Sequence, residues 1–387
     1  MAAKLRIRLY NVLFGDAILV SVPDAENGTP MTRHILIDFG NKYNNEGSDD
    51  SVFEPVIKDI LKQLKGKPLD LYVMTHEHLD HNQGLLHLSA RLGIDVKDKL
   101  KVRHVWLTAS AHPDYYDTHP DSKKQKKLAL AAYTEAERYL AAAPDENTPF
   151  TLALLAINNP RRTADCVDFA RELNPAKTHY IHRGVSLSGK HSFEVARFSI
   201  WAPEEDTSIY YGRNQIAPLF ATPGPGALPA GVDALPVPPP GVDAGAFYDL
   251  VHARLGGVVD NLLAIDKANN DTSIVFCLEW KGKKLLFTGD AEERSWVEMD
   301  ERGILEPVHF LKISHHGSHN GTPGADLLDK ILPGAGTKRS AAVSTCLHAY
   351  NGIPHDKTID DVKARVKRVY STLEDSEPGK WVDVRFG

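Results

Sequence analysis

The chain opens on alternation. Apolar and charged residues take turns in Leu5-Arg6-Ile7-Arg8-Leu9, and runs rich in β-branched residues follow at Ala17–Val22 and His34–Asp38. A period of two puts successive side chains on opposite faces of a strand. Strands are therefore predicted over Leu5–Val12, Ala17–Val22 and His34–Asp38, with Asn27-Gly28 as a turn. The period then changes. Val52, Phe53, Val56, Ile57, Ile60, Leu61 and Leu64 recur at helical spacing and predict an amphipathic helix over Ser51–Leu64. The run Leu69–Met74 predicts a buried strand, and Val102–Leu107 the next one. Strand, helix and strand in alternation begin a layered α/β domain.

Two stretches break this rhythm. Residues 112–190 read as a mainly helical insertion, with helices over Lys123–Ala143 and Thr163–Leu173 and Thr163 as the N-cap. Such an insertion either shapes one wall of a site or simply covers the sheet. Residues 203–262 form an irregular insertion. From Pro218 to Val242 it is dense in Pro, Gly and Ala, and Pro238-Pro239-Pro240 cannot donate ladder hydrogen bonds. A stiff Pro-rich surface loop is expected there in preference to a PxxP-type ligand. The second half returns to strands at Thr272–Trp280 and Lys284–Thr288, joined by a turn at Lys281-Gly282. A helix over Glu292–Arg302, strands over Val308–Ile313 and Ala341–Thr345 and a helix over Ile359–Leu373 complete the pattern. No internal repeat is visible, and one domain over 1–387 is expected.

The strand Leu69–Met74 runs straight into Thr75-His76-Glu77-His78-Leu79-Asp80-His81, which reads as the loop leaving its end. Neutral imidazole and carboxylate are the ligands that Zn²⁺, Mn²⁺ and Fe²⁺ accept. In an extended loop His76 and His78 project to one side and can chelate one ion, while Asp80 and His81 can reach a second. The bland alternative is a solvated, His-rich loop. The offset of Asp80 and the matching segments farther along argue against it.

This H-x-H-x-D-H segment resembles the signature of the metallo-β-lactamase fold superfamily. Ile35-Leu36-Ile37-Asp38-Phe39-Gly40 looks like that family's strand ending in D-x-G, and Leu285-Leu286-Phe287-Thr288-Gly289-Asp290 like its strand ending in a metal-bridging aspartate. Phe310–Ser314 followed by His315-His316-Gly317-Ser318 resembles the subgroup containing the hydrolase domain of ComEC-type competence proteins. Asn11–Val20, with Gly15-Asp16-Ala17, resembles the opening of that subgroup. The membrane channel of ComEC proteins has no counterpart here.

The resemblance implies an αββα sandwich with two divalent ions along one edge, zinc or manganese being the expected metals. His76 and His78 would hold the first ion, Asp80 and His81 the second, and Asp290 would bridge both. The pair His315-His316 would complete the second ion. His315 is preferred as its ligand because it leaves the strand first, and His316 would then face substrate as a catalytic group beside Asp80. The family's further histidine for the first ion has no clean match. His112, His119, His182 and His191 qualify by order alone, each against the plainer reading of a surface histidine. Asp38 would fix the tautomer of a ligating imidazole. His355, in a segment resembling a late N-x-Y-G-H-P-like motif with altered order, would contact a phosphate or protonate a leaving group. Gly317 and Ser318 offer either an amide and hydroxyl to an oxyanion or a plain turn. The implied reaction is hydrolysis of a phosphodiester, in a small molecule or a nucleic acid, by a metal-bridged hydroxide. The alternatives are an ester, lactone, thioester or β-lactam hydrolase, and a non-catalytic metal-stabilised module of a larger assembly.

Composition trims these readings. A formal net charge of −6 argues against a broad basic face coating nucleic acid, and so favours a short or small substrate. The basic runs Lys123–Lys127, Lys281–Lys284 and Lys363–Arg368 read as solvated faces. Cys166, Cys277 and Cys346 are scattered, without knuckle or redox spacing. The N-terminal residues show no apolar leader, and no apolar run is long enough to span a bilayer, so no membrane partner and a cytoplasmic location are expected.

Overall fold

Strands β1 (Leu5–Tyr10), β2 (Ala17–Glu26) and β3 (Thr29–Phe39) form an antiparallel meander. Each buries one alternating set against helices and the other against a second sheet. The structure is a computed structural model that describes residues 4–41, 52–91, 93–142, 148–211, 260–334, 336–346 and 352–387. After β3 the pairing turns parallel through β4 (Leu71–Met74), β5 (Val105–Thr108) and β6 (Thr178–Ile181). The terminal strand β13 (Trp381–Phe386) closes the other edge on β1, for a sheet ordered β13-β1-β2-β3-β4-β5-β6.

The second sheet repeats the scheme. Its order is β12-β11-β10-β9-β8-β7, built from β7 (Arg197–Ala202), β8 (Val275–Trp280), β9 (Lys283–Phe287), β10 (Phe310–Lys312), β11 (Gly336–Val343) and β12 (Val366–Ser371). Strands β7 to β9 are antiparallel and β9 to β12 parallel. The fold class is thus α/β with two mixed sheets.

Helices α1 (Phe53–Leu64), α2 (Leu79–Arg91), α3 (Pro120–Ala142), α4 (Pro149–Ile157) and α5 (Pro160–Arg171) lie in the first half. Helix α6 covers 260–270, and α7 (Glu293–Glu301), α8 (Ala325–Ile331) and α9 (Asp356–Lys363) follow. One apolar cluster joins α1, α2 and α5 to the first sheet through Phe53, Ile60, Leu85, Val167, Phe39 and Tyr72. Another joins the two sheets through Ile7, Val20, Val73, Trp106, Phe276 and Phe310. A third joins the second sheet to α7, α8 and α9 through Leu311, Val343, Trp296, Ile331 and Val362. Burying an apolar side chain on this scale contributes roughly 1.5–3 kcal/mol each, so these clusters dominate the folding drive. Among the described residues no helix is long and apolar enough to cross a membrane.

Several expectations are corrected. The expected helix over Ile359–Leu373 is helix only as far as Lys363. Val366–Ser371 is a strand, because β11 offers it a parallel edge. The metal-type motif is not all loop, since Leu79 begins α2 and puts Asp80 and His81 in its first turn. Asn159, not Thr163, caps α5, accepting from Arg161 N and Arg162 N at 3.1 Å. The helical insertion also ends in β6, which pairs with β5. The Pro218–Val242 loop lies outside the described residues.

Candidate metal centre

All the candidate ligands emerge where parallel strands end. His76 and His78 follow β4, Asp290 follows β9, and His315 and His316 follow β10. Carboxyl ends of parallel strands are where α/β sheets leave backbone free to turn and build sites. Two glycines allow the close approach. A Cβ on Gly40 would stand 2.6 Å from Leu79 O, and one on Gly289, at φ 52°, 2.9 Å from the Thr75 Cβ. Three further site residues, Asp38, His315 and His316, hold positive φ values of 54°, 46° and 54° without being glycine. Such backbone is strained for residues with a Cβ and persists only where surrounding contacts impose it.

Asp80, His81, Asp290 and His316 each offer a ligand atom within 4.8 Å of the others, and all four are buried. His76 adjoins this group, its ring 4.3 Å from that of His81, and the His78 ring lies 4.8 Å from that of His76. The turn after β10 runs against the preference for His315 as the second ion's ligand. It points His316 to Asp80 and Asp290, at 3.3 and 3.4 Å, and sends His315 to Glu292, at 3.2 Å. His316, expected to face substrate, therefore joins Asp80, His81 and Asp290, with Phe14 packed against its ring.

The ring orientations are set from behind. His81 Nδ1 donates to Asp38 Oδ2 at 2.8 Å. His316 Nδ1 donates to the Ser344 carbonyl at 2.9 Å, an oxygen that can only accept. Thr75 Oγ1 donates its own hydrogen to Asp38 Oδ2 at 2.7 Å, so it accepts from His76 Nδ1 at 3.1 Å. Each of these rings thus turns Nε2 inward. His76 Nε2, His81 Nε2, His316 Nε2, Asp80 Oδ1 and Asp290 Oδ1 are all buried without a hydrogen bond. His81 Nε2 lies 3.1 Å from Asp290 Oδ2. Converging, unpaired imidazole nitrogens and carboxylate oxygens fit a divalent cation. His78 differs, since its Nε2 faces Asn158 Oδ1 at 3.0 Å. Asn158 follows α4, so the insertion does reach the site.

Electrostatics agree. Burial, then the neighbouring His81 and His78, keep the His76 imidazole well below its usual pKa and neutral. Burial also opposes the charged forms of His81 and His316. The Asp290 carboxylate, followed by Asp38 for His81, outweighs it, and His316 is raised to about 9. Asp290 is held far below the usual carboxylate range, because His81 and His316 overcome its burial. Lys312, a charged residue inside the apolar strand β10, pairs with buried Asp16 at 2.7 Å.

Asp266 on α6, Glu292 before α7 and His315 form a second group within 4.8 Å of one another. Asp266 Oδ1 is 3.7 Å from His78 Nε2. Neither carboxylate stood out in the sequence; the one signal was Glu292 lying two residues beyond Asp290. The four histidines considered for the first ion lie elsewhere. His112 packs on Tyr180, His119 stacks on Tyr115, His182 Nδ1 is 2.9 Å from the Arg183 carbonyl, and His191 packs on Phe198. His355 sits beside the turn at 315–317, its backbone N–H donating to Gly317 O at 2.8 Å and its ring 6.0 Å from that of His319. The amides of Gly317 and Ser318 are spent on Ser314 O and His315 O, so this segment is a turn and not an oxyanion pocket. No protein-family model matches the chain, and no curated protein does.

Proposed function

We propose that this chain is a metal-dependent hydrolase of the metallo-β-lactamase fold superfamily acting on a phosphodiester. The carrying observation is the neutral His76 imidazole. Its Nδ1 hydrogen is committed to Thr75 and its buried Nε2 lone pair meets no donor. A stranded buried acceptor costs about 1–3 kcal/mol, which a cation would recover. The succession of helix, sheet, sheet and helix in the three apolar clusters supports an αββα sandwich. The H-H-G-S turn supports the ComEC-type subgroup, and with it the phosphodiester.

Asp80, His81, Asp290 and His316 would hold one ion, and His76 with His78 a second. When bound, divalent cations would supply Lewis acidity, an acidified water and neutralisation of charge developing on the ester. The chain's own contribution is to hold the ligands still. Asp38 and the Ser344 carbonyl keep the His81 and His316 rings from rotating. Ser273 Oγ accepts from the Asp290 backbone N–H at 3.0 Å and anchors that carboxylate's strand end. Lys312 neutralises Asp16 within the site wall. His355, its Nδ1 3.0 Å from Thr358 Oγ1, is the candidate proton donor to the leaving group.

The test is a metal-reconstituted screen of bis-p-nitrophenyl phosphate, nitrocefin and a thioester. Turnover of the phosphodiester that vanishes in Asp80→Ala, with the thermal melt preserved, supports the reading. Turnover of a carbonyl substrate instead, or uptake of no metal, overturns it.

A further inference from the structure

We propose that Asp266, Glu292 and His315 hold a divalent cation of their own, beside His78 and distinct from the Asp80–His81–Asp290–His316 group. The donors come from three separate elements yet bring ligand atoms within 4.8 Å of one another. Their side chains are only 13, 4 and 16 % exposed. Carboxylates so far removed from water need a counter-charge or a proton.

Amides aim the two carboxylates without neutralising them. Asn158 Nδ2 donates to Asp266 Oδ1 at 2.9 Å, Asn270 Nδ2 to Glu292 Oε1 at 2.8 Å, and Asn320 Nδ2 to Glu292 Oε2 at 2.5 Å. Oriented carboxylates backed by neutral donors are the usual support of a cation's ligands. His315 Nδ1 lies 3.2 Å from Glu292 Oε1, an ion pair that a cation bound to both side chains would replace. Asn270, 1 % exposed, has its Oδ1 buried without a donor. The left-handed backbone of His315, φ 46°, is what turns this ring away from the His316 side.

The donor set is two carboxylates and one imidazole. That is the chemistry of a hard ion, Mn²⁺ or Mg²⁺, more than of Zn²⁺. This position goes beyond the hydrolase reading, because the family resemblance assigns neither Asp266 nor Glu292 to a metal.

The test uses the full, metal-stripped chain titrated with Mn²⁺. Bound equivalents are counted from the electron paramagnetic resonance signal of the free ion and by elemental analysis. Asp266→Asn and Glu292→Gln should each lose one equivalent, or weaken it tenfold or more. The metal-free melt identifies any variant that fails to fold, and His315→Gln provides a third, independent removal. His316→Ala should lose a different equivalent, so that its combination with Asp266→Asn loses both. Wild-type stoichiometry and affinity in folded Asp266→Asn and Glu292→Gln would overturn this inference. If His316→Ala still loses its own ion in that case, the hydrolase centre stands. If only the Asp266 and Glu292 variants lose an ion, the hydrolase centre falls and this site remains.

Discussion

Replacing Asp38 by Asn changes one atom type and probes the whole support of the centre. Asp38 is fully buried and accepts three hydrogen bonds. Thr75 N reaches Oδ1 at 2.7 Å, while Thr75 Oγ1 and His81 Nδ1 reach Oδ2 at 2.7 and 2.8 Å. An asparagine has one accepting oxygen and one donating nitrogen. If its nitrogen faces Thr75 N–H, two donors collide on backbone that cannot turn away. The cost is about 1–3 kcal/mol of stability, plus the loss of charge assistance in the remaining bonds. If its nitrogen faces His81, the ring can accept only by moving its hydrogen to Nε2, the atom the cation needs. Disturbing a partner of this kind weakens metal binding roughly 10–100-fold, or about 1.4–2.7 kcal/mol. Asn tolerates the left-handed backbone of this position, φ 54°, so neither effect comes from strain. Urea unfolding of the metal-free protein and chelator competition for Zn²⁺ measure the two losses. The competition is run above about pH 9, where the His316 proton no longer competes. An unchanged unfolding midpoint together with unchanged zinc affinity would refute the reasoning.

Four further outcomes follow from the same geometry. His81 and His316 carry raised pKa values, about 9 for His316, so at neutral pH a cation must expel a proton from each. Its affinity should fall steeply as pH drops below that range, with about two protons released in calorimetry across buffers, and zero release would contradict the assigned ligands. Burial, then the cations Arg6, Lys65 and Lys67, lower His34 from 6.5 to about 4, so the unfolded chain takes up this proton first. Stability present above pH 6.5 should be lost as pH falls toward 4, by up to about 3 kcal/mol, and His34→Gln should flatten that part of the urea-midpoint profile. Gly40→Ala would drive a Cβ to 2.6 Å from Leu79 O, and should cost about 1–3 kcal/mol while displacing Asp80; a normal melt with full metal uptake would show that the contact gives way. His355→Ala should lower phosphodiester kcat tenfold or more without changing metal content, and most strongly for substrates with poor leaving groups; equal loss for all leaving groups counts against proton donation.

The alternation of Leu5–Leu9, the helical spacing of Val52–Leu64 and the compact His76–His81 motif were legible in the sequence because each reports on its own neighbours. Local periodicity decides which face of an element is apolar, and a contiguous motif carries its ligands wherever the chain goes. The segments ending in Asp38, Asp290 and His316 were legible for the same reason, each being the polar end of an apolar strand. Tertiary structure decided what depends on distant partners. Val366 and Val369 are spaced as in a helix, and only the edge of β11 makes their segment a strand. The sequence offered two adjacent rings at 315 and 316; the left-handed turn beneath them sent one to Asp290 and the other to Glu292. Asp266 is 188 residues from His78 along the chain, 266 minus 78, and 3.7 Å from it in space. Nothing in its own neighbours could signal that meeting, since it exists only once both sheets and α6 have packed.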